Sequence, residues 1–154
     1  MRYDHPDATV LVEELQQEFV VRYGEPDHTP VDPADFAPPL GLFLVGYLAG
    51  VPVVCGGWRA NGDEAELKRM YVAPAARGRG LARLLLAELE RTALAAAHRS
   101  MILVTGSQQP EAVRLYQSAG YLPVPGFGHY ADAPSAIHLG KALTIEEPSC
   151  PSTP

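Results

Sequence analysis

A glycine-rich turn near the middle of the chain joins a strand-like segment to a leucine-rich helical segment. The turn is Arg77-Gly78-Arg79-Gly80. Before it, Glu64–Val72 has the length and composition of a strand, which Pro74 ends. After it, leucines recur every four residues from Leu81, as on the buried face of a helix. A strand, a tight turn and a helix in this order indicate a sheet with a helix packed on it.

The other segments extend this unit on both sides. Apolar residues at helical spacing predict a first helix that stops at Gly24, and the prolines between Glu25 and Pro39 predict a loop with at most one helical turn. Residues 1–7 form a short lead, which we interpret as a frayed edge strand. We predict helices over residues 8–23, 81–98 and 110–119, and strands over residues 41–49, 51–59, 64–72, 101–104, 121–124 and 136–141.

This order of elements predicts an α/β (α+β) fold. Three consecutive strands form a meander, so the sheet should be mixed and mostly antiparallel, with helices flanking it. The 154 residues are enough for one domain with a hydrophobic core. We assign residues 1–144 to this domain and expect the polar, proline-rich residues 145–154 to form a disordered tail.

Composition argues against several other classes of protein. No run approaches the roughly 18 apolar residues of a membrane span, and nothing resembles a signal peptide, so we expect a cytoplasmic protein with no membrane partner. A net charge of -6 argues against a nucleic-acid partner, which needs a basic face. The two cysteines lie in no Cys-x-x-Cys or Cys/His cluster, so we expect no metal site, and Cys55 is most simply a buried apolar residue.

The glycine-rich turn has the features of an anion site. The first N–H groups of a helix lack acceptors, the helix dipole adds positive charge, and glycine lets the backbone approach a phosphate closely. The turn lacks the Gly-Lys-Ser/Thr of a nucleotide P-loop, and Arg83 occupies the last position of a Gly-x-Gly-x-x-Gly pattern. Phosphate binding of another type is therefore expected. The alternative is a mobile turn with solvated arginines.

Two motifs identify the family that the chain resembles. Arg77-x-x-Gly80-x-Ala82 is similar to the (Gln/Arg)-x-x-Gly-x-(Gly/Ala) signature of the GNAT superfamily of N-acetyltransferases. Residues 109–121 resemble the family's second signature, Asn-x-x-Ala-x-x-Leu-Tyr-x-x-x-Gly-Phe, with Gln109 replacing Asn and Tyr121 replacing Phe. The resemblance extends over residues 41–143. The N-terminal third, which carries acceptor choice in this family, matches no motif.

The resemblance implies a fold and a cosubstrate. The central strands Glu64–Val72 and Met101–Val104 should splay apart, with acetyl-CoA between them. Main-chain groups of the first strand should bind the pantetheine arm and polarise the acetyl carbonyl, and amides of the turn should bind the pyrophosphate. The implied cofactor-binding residues are Met70, Tyr71, Val72, Arg77, Gly78, Arg79, Gly80, Leu81, Ala82, Gln109 and Tyr116.

Acetyl transfer needs a proton donor for the leaving thiolate and a base for the amine. Tyr116 matches the family's tyrosine and is our candidate acid, because a phenol stays protonated at neutral pH. The alternative is a tyrosine that only packs in the core. Glu66 is our candidate base, but it could instead pair with Lys68, two residues on along the same face of the strand. His129 and His138 are alternative bases.

The resemblance implies that the acceptor is a primary amine on a small molecule or a peptide. Acidic residues of the proline-rich loop could recognise its charge, or could cap turns; the loop contains Asp27, His28, Asp32 and Asp35. Tyr47, Trp58 and Tyr130 could line the pocket, although sheet packing is favoured for Trp58.

Direct transfer from acetyl-CoA is the leading interpretation, without a covalent intermediate on Cys55. The alternatives are a non-catalytic acyl-CoA sensor on the same fold and a nucleic-acid binder that uses exposed arginines, which the acidic net charge disfavours. Those arginines are Arg77, Arg79, Arg83 and Arg91. The fold is compatible with a homodimer, but no residue in the sequence indicates one.

Overall fold

Three α-helices pack on a six-stranded sheet in the computed structural model, which describes residues 1–144. The disordered tail predicted for residues 145–154 lies outside this range. The helices are α1 (Pro6–Tyr23), α2 (Leu81–Ala95) and α3 (Pro110–Ser118). The strands are β1 (Gly41–Leu48), β2 (Val51–Asn61), β3 (Glu64–Val72), β4 (Ser100–Gly106), β5 (Leu122–Pro123) and β6 (Ala136–Ala142).

Among residues 1–144 the sheet has the order β1-β2-β3-β4-β6-β5, and only its β3–β4 pair is parallel. The predicted mixed, mostly antiparallel α/β fold is therefore confirmed. The proline-rich loop contains one short 3-10 turn, Pro33–Phe36, as expected. Within residues 1–144, no helix is both long and apolar enough to cross a bilayer.

The first residues differ from the prediction. The helix α1 begins at Pro6, two residues early, and no strand precedes it. Proline suits the first helical position because its missing N–H has no role there. Nδ1 of His5 accepts a hydrogen bond from the Asp7 amide at 3.1 Å and caps the helix. The lead therefore enters a helix rather than an edge strand.

The sheet separates two apolar clusters. On one face, α2 and α3 pack through a cluster that includes Leu86, Leu89 and Leu103. On the other face, α1 covers Phe43 and Cys55. Each large apolar side chain buried in this way contributes about 1.5–3 kcal/mol to folding.

The parallel contact between β3 and β4 is short. It contains the pairs Glu64↔Ser100, Ala65↔Met101 and Glu66↔Ile102. Both strands continue beyond these pairs, to Val72 and to Gly106. The central strands therefore part after Glu66, as the resemblance implied, and they open a gap in the middle of the sheet.

A β-bulge interrupts β3 beside this gap. Gly57 pairs with Lys68 and Cys55 pairs with Tyr71, so Arg69 and Met70 together face only Gly56. Arg69 adopts a left-handed backbone with φ of 61°. Such a bulge changes the normal alternation of side chains between the two faces of a strand.

Candidate functional site

The edge of β3 is unpaired where the two central strands part. Beyond Glu66, β4 no longer pairs with β3, whereas the antiparallel pairing with β2 continues to Val72. Main-chain groups of β3 that point away from β2 therefore face the gap. A linear chain of amides, such as a pantetheine arm, could hydrogen-bond there as an added strand would.

The glycine-rich turn lies at the end of the same strand. Gly78 and Gly80 have φ values of 81° and 75°, which L side chains rarely adopt. Gly80 precedes the first residue of α2 and supplies no side-chain cap. Within the described part of the chain, the first backbone hydrogen bond of α2 runs from the Leu84 amide to the Gly80 carbonyl at 3.1 Å. The N–H groups of residues 81–83 are thus free for an anion.

The side chain of Arg77 turns back from this loop toward α1. Its Nε donates to the Val72 carbonyl at 3.0 Å, and its Nη2 donates to Glu18 Oε1 at 2.8 Å. The guanidinium also lies over the ring of Tyr71. Arg77 therefore fixes the loop against both β3 and α1, while the side chain of Arg79 is exposed.

Tyr116 lies on the α2 and α3 side of the sheet. Its ring is buried and meets the ring of Tyr121 edge to face at 5.8 Å. Burial raises the pKa of the Tyr116 phenol, so the hydroxyl stays protonated at neutral pH. This hydroxyl forms no hydrogen bond to any of residues 1–144. It remains available as a donor, which the predicted acid requires.

Gln109, at the start of α3, lies beside the end of α1. Its Oε1 accepts a hydrogen bond from the Tyr23 hydroxyl at 3.3 Å. A Cβ at Gly106 would collide with that hydroxyl, so the close packing of Tyr23 requires glycine there. Arg22 donates to the Gln108 carbonyl at 2.7 Å. These contacts tether the end of α1 to the β4–α3 connection.

A cavity of about 260 Å³ lies on the α1 face of the gap. The end of α1, the following loop, β3, β4 and the segment before β6 enclose it. Its polar lining includes Tyr23, Asp27, Lys68, Gln109 and Tyr130. A small molecule could bind there beside the point where the central strands part. We refer to it below as the acceptor cavity.

Lys68 and Arg69 both contact Asp27 beneath this cavity. Consecutive strand residues normally point to opposite faces, and the bulge at Arg69 allows both cations to reach one carboxylate. Lys68 Nζ lies 3.4 Å from Asp27 Oδ2, which Arg69 Nη1 also contacts. Burial alone would raise the pKa of Asp27, but the two cations and hydrogen bonds from Thr29 outweigh it and lower that pKa. Burial lowers the pKa of Lys68, although Asp27 opposes the shift.

Glu66 does not pair with Lys68, so that alternative in the sequence analysis is wrong. Its Oε1 accepts a hydrogen bond from Arg59 Nε at 3.0 Å, directly across the β2–β3 pair. Lys68 instead reaches Asp27, which is 41 residues away along the chain. Glu66 and Lys68 lie on the same face of β3, as predicted, and this is the face that α1 covers. Glu66 is the last residue of β3 that pairs with β4, so its carboxylate lies where the two strands begin to separate.

The other candidates of the proline-rich loop have structural contacts. Asp32 Oδ1 accepts from the Ala34 amide at 3.0 Å and caps the 3-10 turn. Asp35 lies 3.8 Å from Arg59, and His28 lies 3.5 Å from Glu25. Turn capping and surface pairing therefore describe these side chains better than recognition of a substrate.

The candidate aromatic residues separate into three environments. Trp58 is buried and its Nε1 donates to Thr92 Oγ1 at 2.9 Å, which confirms sheet packing. The Tyr47 hydroxyl donates to Asp7 Oδ2 at 2.6 Å, at the exposed β1 edge. Tyr130 lines the acceptor cavity, and its hydroxyl accepts from the His28 amide at 2.9 Å.

Two other groups bear on the chemistry. Burial raises the pKa of Cys55 to about 12, and its thiol donates to the Arg69 carbonyl, so it is a poor nucleophile. His138 Nε2 is buried without a hydrogen-bond partner among residues 1–144, and the ring meets Phe127. His138 pairs with Val104, a residue of the cavity wall, whereas His129 is exposed.

Sequence reasoning missed Tyr23, Lys68 and Arg69 as parts of the site. Lys68-Arg69 places two adjacent cations in the middle of a mostly buried strand, and this pair was the available signal. Adjacent charges in a buried strand require partners on whichever face they occupy.

Comparisons with known proteins agree with this geometry. Residues 9–121 match the sequence model of the acetyltransferase (GNAT) family. The chain is 34% identical over 140 residues to an IAA acetyltransferase of Azospirillum brasilense, covering 89% of this chain and 92% of that protein. A Klebsiella pneumoniae protein assigned as an acyl-CoA N-acyltransferase has a TM-score of 0.78 and 26% identity, over 94% of each chain. The N-acetyltransferase PaiA of Thermoplasma acidophilum, solved with coenzyme A, shares the fold at a TM-score of 0.59 and 19% identity, over 66% of this chain and 60% of that one.

Proposed function

The chain belongs to the GNAT family of acetyltransferases, and we propose which of its residues carry acetyl transfer from acetyl-CoA to a primary amine. The observation that carries the proposal is the separation of β3 and β4 after Glu66, together with a turn at the end of β3 in which the amides of residues 78–83 donate no backbone hydrogen bond within the described part of the chain. The unpaired strand edge offers hydrogen bonds to the amide groups of the pantetheine arm. The start of the following helix offers N–H groups to the pyrophosphate.

The pyrophosphate would be held by amides of residues 78–82, since the amide of Arg77, expected from the sequence to take part, donates to the Pro74 carbonyl at 3.3 Å. Gly78 and Gly80 allow the turn to curve around the anion, and Arg79 adds a solvent-exposed positive charge. Main-chain groups of Met70, Tyr71 and Val72 would hold the pantetheine arm along β3. An amide of this edge would also donate to the acetyl oxygen as that oxygen gains negative charge.

Tyr116 would supply the proton for the leaving thiolate. Its phenol stays protonated because burial disfavours the phenolate. Its hydroxyl is uncommitted within the described part of the chain, so reaching the sulfur requires no existing hydrogen bond to break. Gln109, held by Tyr23 at the start of α3, would position the same end of the arm.

Glu66 would accept the proton of the amine through a water molecule. One carboxylate oxygen is held by Arg59, and the other oxygen keeps its capacity to accept. His138 is the alternative, since its unpartnered Nε2 lies next to the cavity wall. A pH profile of kcat/KM separates them. Glu66→Gln should remove the acidic limb if Glu66 is the base, and His138→Gln should remove it if His138 is the base.

The acceptor would be a primary amine on a small molecule or peptide end that enters the 260 Å³ cavity. We also propose a cytoplasmic location, since cells make and consume acetyl-CoA internally. All elements of the proposed site lie in one chain, so the proposal requires no homodimer.

Calorimetric titration with acetyl-CoA, followed by thiol release with a panel of amines, tests this function. We expect binding of acetyl-CoA and amine-dependent release of free thiol. Binding without thiol release for any amine would favour an acyl-CoA sensor, and absence of binding would refute the assignment of the site.

A further inference from the structure

We propose that the acceptor of this enzyme carries a carboxylate as well as its amine, and that the ammonium of Lys68 binds this carboxylate in the acceptor cavity. The inference rests on the proposed function, since it concerns the second substrate of the same site. It follows from the hydrogen bonds of the charged groups around the cavity. The acceptor sites of the Asp27 carboxylate are all used, whereas the ammonium of Lys68 keeps a free donor.

Asp27 has no capacity left for a substrate ammonium. Its Oδ1 accepts from the amide of Thr29 at 2.9 Å and from the Thr29 hydroxyl at 2.6 Å. Its Oδ2 contacts Lys68 Nζ and Arg69 Nη1. A carboxylate offers about four lone-pair sites, and all four are used. Recognition of the substrate ammonium by an acidic residue of the proline-rich loop therefore does not apply to Asp27.

Two buried cations share one carboxylate beneath the cavity. Asp27 is the carboxylate that contacts both Lys68 and Arg69, whose side chains are only 7% and 4% exposed. Glu66 is hydrogen-bonded to Arg59, which also lies 3.8 Å from Asp35, so these three residues form a neighbouring charged group. A buried ammonium that shares its carboxylate with a guanidinium can accept a further carboxylate, because the second anion strengthens its compensation.

Lys68 is the cation of the cluster that lines the cavity, beside Asp27. An ammonium has three donors, and the two contacts of Lys68 Nζ are long, 3.4 Å to Asp27 and 3.3 Å to Thr29. At least one donor is thus free for a ligand. The Tyr130 hydroxyl accepts from the His28 amide and lines the same cavity.

The remaining walls limit the size and polarity of the acceptor. Phe19, Val104 and Ala136 present apolar surface to the cavity. Glu25 also borders it, but its side chain is 69% exposed and lies near His28, so its charge is largely screened. These walls fit a small amine with a carboxylate and an apolar portion, as in an amino acid, better than a polyamine.

The test compares amines that differ only by a carboxylate. The pairs are L-phenylalanine with phenylethylamine, L-leucine with isopentylamine, and delta-aminovalerate with n-butylamine. The values of kcat/KM are measured by thiol release for the wild type, Lys68→Met and Lys68→Arg. Methionine has a similar length and tolerates burial, and Arg69 remains to pair with Asp27. Thermal unfolding and the Kd for acetyl-CoA establish that each variant is folded and binds the cosubstrate.

We expect the wild type to prefer the carboxylate member of at least one pair, and Lys68→Met to reduce that member's kcat/KM by about tenfold or more while sparing its partner. Lys68→Arg should keep part of the preference. The inference is overturned if the wild type prefers the plain amines, if Lys68→Met lowers both members equally, or if no carboxylate-bearing amine reacts. Failure to bind acetyl-CoA would instead overturn the proposed function.

Discussion

The guanidinium of Arg77 donates a hydrogen bond to the carboxylate of Glu18 at 2.8 Å, and this contact joins the glycine-rich turn to the middle of α1. The same guanidinium holds the Val72 carbonyl at 3.0 Å. The turn proposed to bind the pyrophosphate is therefore positioned by the helix that borders the acceptor cavity. The Arg77–Glu18 contact is thus one of the links between the two proposed substrate sites.

Glu18→Gln should loosen the turn without unfolding the protein. The Glu18 and Arg77 side chains are partly exposed, so the pair should contribute about 1 kcal/mol or less to stability. The Kd for acetyl-CoA, measured by calorimetry, should rise by a few-fold because the turn is less preorganised. Glu88→Gln, which removes a surface pair with Arg91 on α2, is the matched control and should leave that Kd unchanged.

Gly80→Ala should weaken acetyl-CoA binding far more than it weakens folding. A Cβ at Gly80 meets no protein atom within 4 Å, so the change adds left-handed strain of about 1 kcal/mol and bulk facing the proposed pyrophosphate. Gly62→Ala is the control, because Gly62 has φ of 62° and equally open surroundings, but it lies in the β2–β3 turn. If both variants lose acetyl-CoA affinity equally, backbone strain alone would explain the loss, and contact of Gly80 with the pyrophosphate would not be supported.

Tyr116→Phe should reduce kcat by about a hundredfold or more, with little change in the Kd for acetyl-CoA. The ring would keep its packing against Tyr121, since only the hydroxyl is removed. Stopped-flow or steady-state thiol release measures the rate, and calorimetry measures the Kd. A variant with wild-type turnover would show that Tyr116 only packs in the core.

Asp27 should make the protein sensitive to acid. Its pKa is lowered in the folded state, so its ion pairs stabilise the fold fully above the unfolded pKa of about 4, and that stabilisation is lost as pH falls toward the lower folded value. The free energy of unfolding, measured in urea between neutral pH and pH of about 3, should decline in the wild type. Asp27→Asn should be less stable at neutral pH and should show a smaller decline. Parallel curves for the two proteins would exclude this role.

The sequence predicted the turn and the helices of the site but missed the Lys68–Arg69 pair, and the bulge at Arg69 is one reason. Helical and strand periodicities located α2, α3 and the strands, because these depend on local patterns, whereas the separation of β3 and β4 was implied by the family resemblance that the two motifs carry. Alternation along β3 placed Lys68 beside Glu66, but the actual partner, Asp27, lies 41 residues away. A bulge adds one residue to a strand and leaves no periodic signal in the sequence. The contact of both Lys68 and Arg69 with Asp27 could therefore be recognised only in the folded structure.

The central claim is that amides at the start of α2 hold the pyrophosphate of acetyl-CoA, and nitrogen–proton correlation spectra of the labelled protein test it most directly. Titration with coenzyme A should shift the amide resonances of Gly78, Gly80, Leu81 and Ala82 more than any others, while those of the β1–β2 turn stay fixed. Saturable binding that leaves these four resonances unmoved would contradict the account.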